Sequence, residues 1–335
     1  MPCRTAIRST LALVTTLFLS ATAQAQLFRA YLATDGSDAN PCTLAQPCRL
    51  LPAALTAVAD GGEIWMLDSA NYNTGPVNIT KSVTILAVPG ALGSVVAAGG
   101  NAIDIATAGV KVALRNLVVV PLLGVGGMRG INMTSGAELT VENCLLAHLP
   151  GTGVYVNTAA NVGITDSTIR GGGSYGLRLE GGARATVTRA TISGHSGPGI
   201  LVNGIGANTT TADITNSSLA ANDAGVFAYS GNASGVVKVS VRDSLISRNA
   251  NYGGVAQSDA GAAVTLSASN NTASNNATGI GAVGAGAKVW ASGNTVSDNG
   301  IGLSNPSGVF ETAGSNALRN NVSNKSGTIT VIAME

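Results

Sequence analysis

A glycine followed by an aliphatic residue returns through the stretch 128–321: Gly130-Ile131, Gly153-Val154, Gly176-Leu177, Gly199-Ile200, Gly225-Val226, Gly254-Val255, Gly279-Ile280 and Gly302-Leu303. Successive glycines are 23, 23, 23, 26, 29, 25 and 23 residues apart. About a dozen residues after each comes a second mark, such as Val141-Glu142-Asn143, Ile164-Thr165-Asp166 or Val241-Arg242-Asp243. A unit this small cannot bury its own apolar face. It must stack on its neighbours, so a period in the low twenties predicts a solenoid. Within each unit the apolar positions alternate: Leu177 and Leu179 bracket Arg178, Leu139 and Val141 bracket Thr140, and Val239 and Val241 bracket Ser240. Period two is the strand period. The runs are short and end in Gly, Asn, Asp or Ser, which favour turns. Stacked coils of this kind pair strand on strand in parallel, about 4.8 Å apart. The predicted fold is all-β, a right-handed parallel β-helix of roughly ten coils.

Composition bounds the partners. Only 10% of the 335 residues are charged, and the net charge is +1. That leaves no electrostatic case for nucleic acid or an anionic membrane. Arg4 and Arg8, the apolar run from Leu11 to Leu19, and Ala23-Gln24-Ala25 form the positive start, short core and cleavage site of a secretory signal peptide. The run is too short to span a bilayer. The expected organisation is a signal peptide at 1–25, an N-terminal segment with a capping helix at 26–63, and the β-helix at 64–335, in a secreted protein with no membrane span. Export permits disulfides. Cys42 and Cys48, six residues apart in a loop with two prolines, are read as a bridge. Cys144 has no obvious partner and reads as a small buried hydrophobe.

Asp35-Gly36-Ser37-Asp38-Ala39-Asn40-Pro41, then Pro47, Ala53-Ala54, Gly61-Gly62-Glu63-Ile64 and Tyr72 resemble the N-terminal segment of secreted β-helix proteins of the pectate-lyase-like superfamily. Family versions usually carry Phe where Cys48 stands and Asp where Glu63 stands. The resemblance implies the fold and leaves function open, because the superfamily holds lyases, hydrolases, epimerases and proteins without known chemistry. In the same segment Pro52 suits a first helical turn, and Leu51, Ala54, Leu55 and Val58 share an apolar face. Gly61-Gly62 is expected to stop this helix, which would cover the open end of the first coil. The aspartates at 35–40 suggest a calcium loop but lack the glutamate that an EF-hand places twelfth. A turn held by Asp and Asn side chains is the favoured reading. Strands are expected over 77–87, 102–105, 110–120 and 328–332. With no helix after the last, the C-terminal end is open to self-association.

Superposed repeats place His195, Asn222, Asn249, Asn276, Asn299 and Asn321 in one turn column, an amide ladder. Gly194-His195-Ser196-Gly197 faintly resembles the glycine-histidine motif of polygalacturonase-like hydrolases. The paired aspartates and basic R-x-K element of those enzymes are missing, so His195 reads as a ladder rung. His148 lacks the D-P-H-D setting of alginate epimerases. In a second turn column, Asp166 and Arg189 fall on adjacent rungs as a surface ion pair. No catalytic residue, metal site or cofactor is expected. The outward face of the first strand is the binding candidate: Asn132, Tyr155, Arg178, Leu201 and Phe227 form one column, and Thr134, Asn157, Glu180, Asn203 and Tyr229 the next. Sugar rings stack on aromatic faces and hydrogen-bond to planar polar groups. Tyr155, Arg178, Glu180, Phe227 and Tyr229 are therefore the expected ligand-binding residues. The functional expectation is a secreted, non-catalytic β-helix that binds or displays at a surface, with polysaccharide as ligand. The alternative, resting on the resemblance alone, is a polysaccharide lyase or glycoside hydrolase with an unfamiliar site.

Overall fold

A computed structural model describes residues 26–333. The expected signal peptide at 1–25 lies outside these residues. The chain winds into about ten turns bounded by three parallel sheets. The coil containing Tyr155 is representative: Val154–Asn157, Asn161–Thr165 and Thr168–Arg170 lie in three different sheets. We call these the anchor sheet, the long sheet and the narrow sheet. Among the described residues they hold 11, 13 and 11 strands. Each strand pairs in parallel with its counterparts one coil away, as Val154 does with Ile131 and Leu177. Alternation turns Val154, Val156, Val162, Ile164 and Ile169 into the interior, where each is buried. Burying such a side chain contributes about 1.5–3 kcal/mol.

The glycine mark has a steric origin. A Cβ at Gly153 would lie 2.6 Å from the carbonyl oxygen of Gly176, and one at Gly225 would lie 2.6 Å from that of Gly253. The anchor glycines thus press backbone on backbone where the chain enters each coil. The sequence spacing predicts Gly254 as the anchor between Gly225 and Gly279. The anchor of its coil is Gly253, whose Cβ would meet the Gly279 carbonyl at 2.5 Å, and not Gly254. Gly254 pairs with Val226 and Ile280 and takes the inward position. Two adjacent glycines leave the register open to pattern reading, and close approach between coils decides it.

Two columns of turn residues adopt the left-handed conformation. One contains Asn116, Asn143, Asp166, Arg189, Asn216, Asp243 and Asn270, all with φ between 50° and 56°. The other contains His148, Ala221, Arg248, Asn275, Asp298 and Asn320. Asn and Asp tolerate this region and most other side chains do not, hence their recurrence. Directly after each column comes a ladder. Asn222, Asn249, Asn276 and Asn299 donate their backbone N–H to the next rung's Oδ1, at 2.9–3.0 Å. Each also donates its Nδ2 to a strand carbonyl, as Asn249 does to Leu219. The second ladder was not foreseen. It climbs from Cys144 through Ser167, then from Ala190 through Ser217, Ser244, Asn271, Asn294 and Asn316, again linking backbone N–H to the next side chain. Cys144 is buried there, and burial pushes its thiol up to about 11.

The N-terminal end is closed. Leu27–Leu32 and Val58–Met66 form the first two strands of the long sheet. The helix Leu51–Ala57 buries Leu51, Ala54 and Leu55. Gly61-Gly62 does not end it, contrary to expectation: Val58 is already extended, and the glycines lie inside the next strand, with Gly61 at φ 78°. The boundary expected at 63/64 therefore falls within a strand. Cys42 and Cys48 form a disulfide. Asp38 Oδ1 accepts the backbone N–H groups of Arg49 and Leu50, and Asn40 donates to the Pro47 carbonyl, the turn role expected of them. The anchor sheet begins one coil before Ala102, at Val77–Ile79. A strand at Gly93–Ala97 also joins the narrow sheet, outside the expected spans. At the far end Thr330–Val331 forms the last strand of the long sheet, shorter than expected. The exposed strand Ser323–Gly327 ends the anchor sheet and pairs Lys325 with the inward residue Leu303. A charge on a terminal rung is one of the devices that blunt an open sheet edge.

Ala221 is exposed, sits at φ 56°, and is neither Asn nor Gly. Ala221→Asn should raise stability by about 0.5–1 kcal/mol, part of the penalty for a left-handed non-glycine residue. Thermal unfolding of the two proteins checks this; an unchanged or lower midpoint contradicts it.

Candidate functional site

The anchor sheet turns two columns outward in the expected register: Asn132, Tyr155, Arg178, Leu201 and Phe227, beside Asn157, Glu180, Asn203 and Tyr229. Val255 continues the first column and Gln257 the second. Beneath them Val154, Leu177, Leu179, Val226 and Ala228 fill the interior. The platform is therefore separate from the apolar core.

An open depression of about 450 Å³ lies between this face and the turns that enter the anchor strands. Arg178, Leu201, Asn203, Phe227 and Tyr229 form its floor. Tyr175, Pro198 and Asp223 come from the turns and form one wall. The Phe227 and Tyr229 rings are tilted, with centroids 5.3 Å apart. Tyr229 donates its hydroxyl to Asp259 Oδ2 at 2.9 Å, which holds its pKa above the ordinary value. The Arg178 guanidinium lies 5.2 Å from the Tyr175 ring centre.

Three of the five expected binding residues, Arg178, Phe227 and Tyr229, meet at this depression. The other two have different work. Glu180 was expected to face solvent and is only 3% exposed. It points outward, but its neighbours' longer side chains close over it. Its Oε1 accepts Arg178 Nε at 2.7 Å and Asn203 Nδ2 at 2.7 Å, and its Oε2 accepts the Tyr155 hydroxyl at 2.8 Å. Burial alone would raise its pKa, but the hydrogen bonds from Asn203, Arg178 and Tyr155 outweigh burial and lower it. Tyr155 is not a free stacking surface either. The Arg129 guanidinium lies 4.2 Å from its ring centre and that of Arg178 lies 5.5 Å away. Burial, then the bond to Glu180, raises the Tyr155 pKa. Tyr175 and Asp223 were missed because they precede the anchor glycines, outside the alternating strand pattern.

The other sequence candidates lie elsewhere. Arg189 grips Asp166 with two bonds of 2.7 Å on an exposed turn. His195 is a ladder rung, 4% exposed. Its backbone N–H donates to Asn222 Oδ1 at 3.1 Å, and its Nε2 lies 3.2 Å from the Ile169 carbonyl. That second contact copies the Nδ2-to-carbonyl bond of the asparagine rungs. Its Nδ1 is buried without a partner. Among the described residues no cluster of three or more His, Cys, Asp or Glu is placed to hold a metal ion.

His195→Asn should therefore fold with stability within about 1 kcal/mol of the parent, because Asn makes both bonds and leaves no ring nitrogen unpaired. A loss above about 2 kcal/mol would reveal a specific contact of the ring. The pH dependence gives a second readout. Burial lowers the His195 pKa, so folding favours the neutral ring. Its contribution is complete above the ordinary value of 6.5 and is lost as pH falls from there through the depressed folded value. The variant should lose this acid sensitivity in melts from pH 7 downward.

Comparison with known proteins agrees on the fold. Residues 126–269 match a family model described as a right handed beta helix region. No curated protein sequence matches the chain. Among solved structures, pectate lyase Pel9A superposes with a TM-score of 0.66 at 16% identity, covering 85% of this chain and 79% of its own. A GH136 lacto-N-biosidase from Eubacterium ramulus gives 0.58 at 12% identity, with coverages of 91% and 68%. An alginate lyase from Paenibacillus sp. gives 0.58 at 13% identity, with coverages of 87% and 100%. The chain has the fold of the pectate-lyase-like right-handed parallel β-helix proteins.

Proposed function

We propose that this protein is an exported, non-catalytic polysaccharide-binding β-helix whose site is the depression on the outer face of the anchor sheet. One observation carries the reading: the rings of Tyr175, Phe227 and Tyr229 line one depression together with an arginine that Glu180 holds in place. Aromatic planes supply the apolar contact that a sugar ring needs, and a fixed guanidinium supplies oriented donors to its hydroxyls. An open site on a repeating face suits a polymer better than an enclosed small molecule. Export rests on the signal peptide of the sequence and accords with the Cys42–Cys48 bridge.

The protonation states beside the depression favour binding over proton transfer. A glycosidase acid needs a carboxyl with a raised pKa, and that of Glu180 is lowered. A lyase base needs a group that gives up its proton near neutral pH, and the Tyr155 phenol is shifted the other way. The named activities of the similar structures, pectate lyase, alginate lyase and lacto-N-biosidase, make carbohydrate polymers the first ligands to try.

The test uses the mature protein on a glycan array, followed by turnover assays on retained glycans with and without calcium. Retention without new reducing ends or unsaturated products is the expected result. Product formation would replace this reading with a lyase or hydrolase. Tyr175→Ala/Phe227→Ala should weaken retention on the order of tenfold or more, while unfolding shifts by about 0.2–1 kcal/mol for the cross-strand contact that Phe227 loses. A folded double variant that binds normally would remove this face as the site.

A further inference from the structure

The charges around the depression carry more than its aromatic lining does. Arg178 is the cation on its floor, and it is ion-paired with Glu180, whose side chain is only 4% exposed. The pair is built into the sheet: Asn203 and Tyr155 add bonds to the same carboxylate from the coils on either side. Arg178 therefore presents guanidinium donors without a free positive charge. The two acids at the margin are arranged differently. Asp223 lines the depression, and its carboxylate accepts Asn251 Nδ2. Asp259 accepts Tyr229 and Gln257. Neither has a cationic partner within ion-pairing distance among the described residues. The floor is electrically balanced and the margin is negative.

From this balance we infer that the depression selects neutral, hydroxyl-rich glycans against polyuronates, and that Glu180 is the residue that sets the selection. The inference rests on the glycan-binding reading above and narrows its ligand class. A neutral sugar can donate hydroxyls to Asp223 and accept hydrogen bonds from Arg178 and Asn203 while its ring lies on Phe227 or Tyr175. A uronate at the same place meets an arginine whose charge is already matched and two carboxylates of its own sign. Like-charge juxtaposition is an effective device for rejecting a wrong ligand. Glu180 touches no ligand in this arrangement. It is a positioning residue, acting through the charge and orientation of Arg178.

Substituting Glu180→Gln keeps the shape and removes the charge, leaving Arg178 uncompensated above an apolar core. Its effect is read with matched polymers that differ in their carboxylates: a glucan and its C6-oxidised polyglucuronate, a galactan and polygalacturonate, a mannan and polymannuronate. The parent protein should retain the neutral member of its preferred pair at least about tenfold more strongly than the acidic member. E180Q should gain on the order of tenfold for the acidic member, and the gain should vanish in ~0.5 M salt, as an exposed charge contact does. Adding Arg178→Gln to E180Q should abolish the gain. Asp223→Asn/Asp259→Asn, in which Glu180 is untouched, tests the negative margin if E180Q does not fold: it should raise the ratio of acidic to neutral retention, and an unchanged ratio overturns the selection. A parent that binds the polyuronate as tightly as its neutral counterpart overturns the selection, with glycan binding left standing. A parent that retains neither member of any pair overturns glycan binding itself and this inference with it.

Discussion

A stacked coil must find an acceptor for the backbone N–H of every tight turn, because each turn is buried by the coil beside it. An unpaired buried amide costs roughly 1–3 kcal/mol. The solution here repeats: one side chain per turn receives the amide of the neighbouring rung. Asn serves best because its Nδ2 can also reach a strand carbonyl, as Asn249 reaches Leu219 and Asn276 reaches Ile246. Ser can take the amide with its hydroxyl, and in the second ladder Ser217 takes that of Ala190 and Ser244 that of Ser217. The left-handed residue before each rung aims the rung's side chain along the solenoid axis. The anchor glycine then lets the chain re-enter its strand against the next backbone. Strand pairing follows from these turns as much as it directs them.

Once turns and interior are satisfied, the outward columns are free of structural duty over most of the surface. The anchor sheet is the exception. Tyr155, Arg178, Glu180 and Asn203 come from three consecutive coils and converge on one carboxylate. A buried ion on an outer face makes little sense as a source of stability, since its desolvation opposes its pairing. It makes sense as a device that fixes Arg178 in one orientation beside an aromatic-lined depression.

Much of this was legible in the sequence, for physical reasons. Glycines that exclude a Cβ and asparagines that must repeat on each rung leave a period in the low twenties, the length of one coil. The outward columns followed from alternation alone. What escaped notice depended on neighbours. The second ladder is hidden because Cys, Ser and Asn all serve in it, so no single residue type repeats. Gly253-Gly254 offered two registers that only the packing of adjacent coils separates. The helix ends at Ala57 without a glycine, because the following chain is drawn into the long sheet beside Leu27–Leu32. Glu180 looked like a surface residue because its cover comes from coils on both sides. Tyr175 lies in a turn, where the strand period assigns no face.

Turn ladders, and not the strands alone, hold the coils in register. Native-state amide hydrogen exchange tests this directly. The backbone amides of Asn222, Asn249, Asn276 and Asn299 should exchange as slowly as those of interior strands such as Ala224–Ser230, although they lie in turns. Exchange as fast as in the exposed segment 122–126 would contradict it and leave strand pairing as the organising interaction.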